Sequence, residues 1–218
     1  MKTNLLTQLQ ETSDRLAELG LDALVLTQAI QRCHVVADGY TENHPPIGRG
    51  IGQWTEVIAA IRDQLIPRGW TRDDRENLGL TVNATKTIAI SVATGDENTG
   101  NPDRIPSTRY SKGPKTQSAV IINALQLDLF GNVQLTPQQL KKYPGVMTFM
   151  LLFHRDPMTK ETRVELSRPV RMNSDGDVIE WAERIILPPV PFGIEGAKIS
   201  DDAPKKQQTL PEVKRKRA

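Results

Sequence analysis

The chain has 218 residues, with 28 Lys and Arg against 26 Asp and Glu, a single Cys and 5% aromatic residues, a length that suits one ordinary domain with attachments. Residues 201–218 hold six Lys or Arg against three acids, a net +3, so of the formal +2 the preceding residues contribute −1. That split excludes a uniformly basic protein that coats nucleic acid, while leaving room for a basic tail on a near-neutral body. The lone Cys33 excludes an intrachain disulfide, and no apolar run approaches the roughly 20 residues of a spanning helix. The opening residues lack the charged start and long apolar run of a signal peptide, so a cytoplasmic protein with no membrane partner is expected.

Leu5, Leu6, Leu9, Leu16 and Leu19 recur at helical steps, Gly20 breaks the run, and a second helical pattern extends from about Asp22 to Val36 before Asp38-Gly39. Residues 39–52 contain Gly39, Pro45, Pro46, Gly48, Gly50 and Gly52, a density of breakers that reads as a linker. Trp54, Val57, Ile58, Ile61 and Leu65 then predict a helix over 53–66, closed by Pro67 and Gly69. Residues 78–82 and 87–92 are short β-branched runs joined by Asn83-Ala-Thr-Lys86, the pattern of a hairpin. Residues 94–115 have no apolar periodicity, and a loop of that length in a compact domain is usually functional or disordered.

A helix is expected over 116–125, and Thr136-Pro137 starts a short helical turn that ends before Pro144. Residues 146–154 and 162–167 read as strands flanking the turn-rich 155–160, a second hairpin, and Ser174-Asp-Gly-Asp177 marks another turn. For 178–187 the spacing of Ile179, Trp181 and Ile185 suits a helix, while Arg184-Ile-Ile-Leu187 suits a strand. The expected class is α+β: an antiparallel sheet of two hairpin-like units with helices on one face. Its divisions are a helical N-terminal arm (1–40), a Gly/Pro-rich linker (41–52), an α+β core (53–191) and a flexible basic tail (192–218) that is too polar to order itself.

Gln126-Leu127-Asp128-Leu129-Phe130 resembles the short peptide by which bacterial replication and repair proteins attach to the DNA polymerase sliding clamp, and it matches all five positions of that pattern. The resemblance covers the pentapeptide alone. It implies an extended segment in which Gln126 bonds the pocket rim, Leu127 fills one apolar pocket, Leu129 and Phe130 fill the adjoining one, and Asp128 faces solvent. A helix carried through the peptide would align Leu129 with Ile121, Ile122 and Leu125 but turn Leu127 and Phe130 away, so the helix is expected to end near Leu125. The competing reading makes Leu127, Leu129 and Phe130 core residues.

The 94–115 loop holds Asp96, Glu97 and Asp103 as weak metal-ligand candidates beside Arg104, Arg109, Lys112 and Lys115, cations suited to phosphate or nucleic acid. Their spacing matches no metal-loop or phosphate-loop pattern, and a loop held by Asx turns and salt bridges is the competing reading. His34, His44 and His154 are too dispersed for a zinc site, and Cys33 suits a buried structural thiol. No cofactor and no catalytic residue is assigned. Lys214, Arg215, Lys216 and Arg217 form a compact cationic run that can touch DNA phosphates or serve solubility.

Residues Arg68-Gly-Trp70, Val92 to Gly100, Ser107-Thr-Arg109, Lys112-Gly-Pro114, the Gln126 segment and Glu183 to Pro189 give the stretch from about Gly69 to Pro189 a second likeness. It resembles a family of uncharacterised proteins carried on bacterial integrative elements, plasmids and prophages. That resemblance implies a mobile-element setting and no established activity. The expectation is a non-enzymatic accessory protein docking on the sliding clamp, with the basic run near DNA. The alternatives are a metal-dependent enzyme acting on nucleotide or nucleic-acid phosphates through the 94–115 loop, and a DNA-binding or protein-interaction module without clamp contact.

Overall fold

In a computed structural model the described residues are 3–74, 78–128 and 145–193. They form one seven-stranded sheet of order β1-β7-β6-β5-β4-β3-β2, with β1 (Asn4–Leu6), β2 (Thr71–Asp73), β3 (Leu80–Val82), β4 (Ile88–Thr94), β5 (Met147–Asp156), β6 (Glu161–Met172) and β7 (Val178–Pro191). Four α-helices accompany it among these residues: α1 (Leu9–Glu18), α2 (Ala23–Asp38), α3 (Gly48–Leu65) and α4 (Pro114–Asp128). The class is α+β, and both expected hairpins are present as antiparallel β3–β4 and β5–β6 pairs. The sheet is mixed, however, and not antiparallel throughout, because β4 runs parallel to β5 and β1 parallel to β7. Each parallel pair joins segments distant in sequence, which period-two patterning cannot reveal.

The helices occupy both faces, another departure from expectation. Ile88, Ile90, Phe149, Leu151, Phe153, Val164, Leu166, Ile185 and Leu187 point to the face covered by α1, α2 and α3. Alternate positions of the same strands, Ala93, Met150 and Leu152, form a smaller cluster with Val178 and Trp181 on the opposite face. Strands buried on both sides lose the polar alternation of a surface sheet, which explains the unbroken run Thr148–Phe153.

The N-terminal forty residues are a layer of this fold. Leu5 and Leu6 sit in β1 instead of the predicted helix, while Leu16, Val25, Leu26, Ala29 and Ile30 are wholly buried in the main cluster. Burial of each large aliphatic side chain contributes about 1.5–3 kcal/mol, which holds α1 and α2 to the sheet. Asp22 caps α2 by accepting a 2.8 Å hydrogen bond from Val25 N. The linker is shorter than expected, since α3 begins at Gly48 and takes in Gly50 and Gly52. The Tyr40 ring lies against this first turn, and a Cβ on Gly52 would come within 2.4 Å of the Tyr40 hydroxyl. Glycine there permits close approach of a ring, and is not a sign of irregular chain.

The undecided segment 178–187 is strand. β7 pairs with β6 through register shifts around Pro169, where Pro169 opposes Trp181 and Arg168 opposes Glu183. The bulge lets Trp181 and Arg184 face the same side. The predicted helical turn at 136–144 and all but Phe192 and Gly193 of the predicted tail lie outside the described residues.

Candidate functional site

Pro169 also fixes α4. Lacking an N–H, it cannot donate to Thr148, its expected partner in the β5–β6 ladder. The fully buried Asn123 of α4 supplies the missing groups: its Nδ2 donates to Thr148 O at 2.8 Å and to Pro169 O at 2.9 Å, and its Oδ1 accepts from Thr148 N at 2.9 Å. The helix is thus clamped to the sheet one turn before the pentapeptide.

The helix does not end near Leu125. α4 continues through Asp128, so Gln126, Leu127 and Asp128 belong to its last described turn, and Leu129 and Phe130 lie outside the described residues. Leu125, Gln126 and Leu127 are good helix formers with no Gly or Pro among them, so nothing in the local sequence stops the helix at Leu125. Leu125, Gln126 and Leu127 are half-buried, and Leu127 belongs to neither core cluster. The Gln126 Oε1 is buried without a hydrogen-bond partner among the described residues.

The 94–115 loop is tied down on the α4 side of the sheet. Gly95 continues the β4 pairing by donating to Phe153 O at 2.9 Å and bridges to Thr108. Beneath the loop lies an ion pair that the sequence reading did not find: Arg184 donates from Nε and Nη2 to the Glu165 carboxylate at 3.1 and 2.5 Å, with both side chains buried. Further hydrogen bonds from the pair go to the loop or nearby. Arg184 also donates to the carbonyls of Arg104 and Asn101 at 2.8 and 3.0 Å, Gly100 N donates to Glu165 at 2.9 Å, and Ser167 donates to it at 2.8 Å. Trp181 Nε1 adds a 2.8 Å bond to Pro106 O. The available signal was a Glu and an Arg at inward-facing positions of apolar strands, since a buried charge requires a partner.

The candidate ligands of that loop do not converge as a metal site. Asp96 turns back to accept from Asn98 N and Nδ2 at 3.1 and 3.3 Å, an Asx-type turn, and Asp103 is exposed. Among the described residues no group of three or more His, Cys, Asp or Glu can hold a metal ion. The cations separate as well. Arg104 is exposed at the β1 edge, Arg109 is exposed with its guanidinium 6.0 Å above the Tyr110 ring, and Lys112 is half-buried with its pKa lowered by burial. Lys115 is on α4 beside Arg72 and Lys86, along a groove of about 830 Å³. Lys214 to Arg217 lie outside the described residues.

What the structure does assemble is a cleft of about 550 Å³ where β4 and β5 end, walled by Gly95, Asp96, Glu97, Thr108, Arg109, His154 and Asp177. Its members come from the long loop, the β5 end and the β6–β7 turn, and the carboxyl ends of parallel strands are a recurrent place for ligands. His154 and Asp177 carry no local motif, so only the fold brings them here.

Cys33 and His34 are both buried under the helical layer. Burial pushes the Cys33 thiol up to about 12, which suits a structural thiol and not a nucleophile. Burial, aided by the Arg155 charge and opposed by Asp38, pushes His34 down to about 4, and its Nε2 shares a 2.8 Å hydrogen bond with Thr162 Oγ1. No helix among the described residues is long and apolar enough to cross a membrane. Comparison with family models, curated proteins and solved structures finds no match.

Proposed function

We propose that the protein is a non-enzymatic accessory factor that docks on the bacterial DNA polymerase sliding clamp through Gln126 to Phe130, in the mobile-element setting that the sequence resemblance implies. The observation that carries this reading is the position of Leu127: half-buried, in the last described turn of α4, and outside both core clusters. A pentapeptide whose leucine supported the core would not be free to bind a partner, whereas a segment with few buried apolar contacts opens at low cost. Docking in the extended form used by clamp ligands requires Gln126 to Asp128 to unwind, and the Asn123 anchor confines that unwinding to the residues beyond it. The cationic run at Lys214–Arg217 would then lie near the DNA that the clamp encircles. A contact of this size supports affinity of roughly micromolar order, adequate for recruitment.

The test is capture of the full chain on purified clamp, comparing wild type with the Gln126→Ala/Phe130→Ala double variant. Retention of wild type with loss of the variant is expected. Equal retention of both, or of neither, would overturn the proposal.

A further inference from the structure

We infer that the groove between α4 and the β2–β3 edge of the sheet is a binding site for an apolar organic anion, an alkyl or aryl body carrying one carboxylate. The sheet is covered unevenly at this end. On one side α3 packs on β2, β3 and β4, and Thr81, opposite Ile90 in the ladder, is 2% exposed. On the other side α4 packs on β5 and β6, and Leu80 and Val82 of β3 stay half-buried. The space between them measures about 830 Å³, with Leu80, Val82, Ile122 and Val146 among its walls. Pockets of roughly 300–1,000 Å³ with mainly apolar walls hold small molecules, so size favours such a ligand over a folded partner.

Charge selects the head group. Arg72, Lys86 and Lys115 line the groove against Asp73 and Asp74, a net +1. Asp74 is already held by Arg62, which donates from Nη1 at 3.3 Å and forms an ion pair through Nη2. The side chains of Arg72 and Lys86 are exposed and make no ion pair or hydrogen bond among the described residues. A single carboxylate matches that excess and gains charge-assisted hydrogen bonds. A cationic head group would meet repulsion instead.

The β3–β4 turn holds Lys86 beside the groove. Lys86 N donates to Asn83 O at 2.9 Å, and the Asn83 side chain accepts from Thr87 N and Ile88 N at 2.9 and 3.1 Å. Lys86 itself has a φ of 55°, a left-handed conformation that glycine adopts at less cost. Backbone conformation therefore does not account for a lysine at this position, whereas an ammonium beside an apolar groove has a use in binding an anion.

Submicellar decanoate titrated into the full chain, followed by calorimetry and by amide NMR shifts of Val82, Ala119 and Thr148, tests the inference. Saturable binding with shifts at those amides is expected, and decyltrimethylammonium, which has the same tail and the opposite charge, should bind at least about 5-fold more weakly. Lys86→Gly removes the ammonium while suiting the left-handed backbone, and should weaken decanoate by about 5-fold. Ser118→Glu, at a half-buried position of α4 that lines the groove, sets a carboxylate one turn from Lys115 and should weaken it as well. Thermal unfolding of both variants establishes that they are folded. No saturable decanoate binding up to roughly millimolar concentration, shifts at other amides only, equal binding of the two amphiphiles, or unchanged affinity in both folded variants would overturn it. Clamp capture reads the far end of α4, so failure of either proposal leaves the other standing.

Discussion

Glu165 and Arg184 show what one pair of residues can hold in place. The ion pair is buried beneath the long loop, and it makes three further hydrogen bonds to the loop backbone. Removing one partner strands a charge, so Arg184→Met is expected to cost about 3–5 kcal/mol in urea unfolding. The Glu165→Gln/Arg184→Met double variant, which removes both charges, should recover part of that loss. A cost below about 1 kcal/mol for the single change would contradict the role assigned to the pair. Asn123 has a comparable role with neutral groups. Asn123→Ala removes three buried hydrogen bonds and leaves Thr148 unpaired opposite a proline, for an expected loss of about 2–4 kcal/mol, measured the same way. His34 gives a pH signature. The folded state holds its imidazole neutral down to about pH 4, while the unfolded chain takes up the proton near the ordinary value of 6.5. Stability from this group is therefore complete above about pH 6.5 and declines as pH falls toward 4, by up to roughly 3 kcal/mol. Unfolding at pH 7 and pH 4.5 should show a smaller drop in His34→Gln than in wild type, and equal drops would contradict the assignment.

At the scale of elements, the glycines of α3 separate conformational cost from close packing. Nothing approaches a Cβ built on Gly50, whereas one on Gly52 meets the Tyr40 ring. Gly50→Ala should stabilise the protein by about 0.5–1 kcal/mol through helix propensity, and Gly52→Ala should destabilise it by about 1 kcal/mol despite the same propensity gain. Thermal unfolding of the two variants checks the contrast, and equal stabilisation would show that Tyr40 makes no demand on Gly52. These glycines also show why sequence reading took α3's first turn for linker: composition registers a breaker, while the reason for the residue is a ring supplied from eight to twelve positions upstream. Hairpins β3–β4 and β5–β6 were legible because their turns carry local signals. β1 was not, since its partner in β7 lies about 180 residues away and three residues carry no periodicity. β7 reads ambiguously because the bulge at Pro169 shifts its alternation in mid-strand.

For the whole molecule, two clusters on opposite faces of one sheet divide the chain by role. The helical layer, with Leu16, Ile30, Val57 and Ile61, builds the larger core. The other face bears the loop, the polar cleft and α4, whose last described turn begins the clamp-like peptide. The sequence located the loop and the peptide. It could not show that His154 and Asp177 join Asp96 and Glu97, nor that Arg104, Arg109, Lys112 and Lys115 diverge, because both outcomes depend on parallel β4–β5 pairing and on a turn far along the chain. The near-neutral body and the basic 201–218 segment argue against a protein that coats nucleic acid with its whole surface. The central claim is most directly tested by titrating the full chain against immobilised sliding clamp, with the Gln126→Ala/Phe130→Ala variant alongside. Saturable binding of roughly micromolar strength, weakened at least 10-fold in a variant of unchanged thermal stability, is the predicted result. No binding, or binding indifferent to the two substitutions, would contradict it.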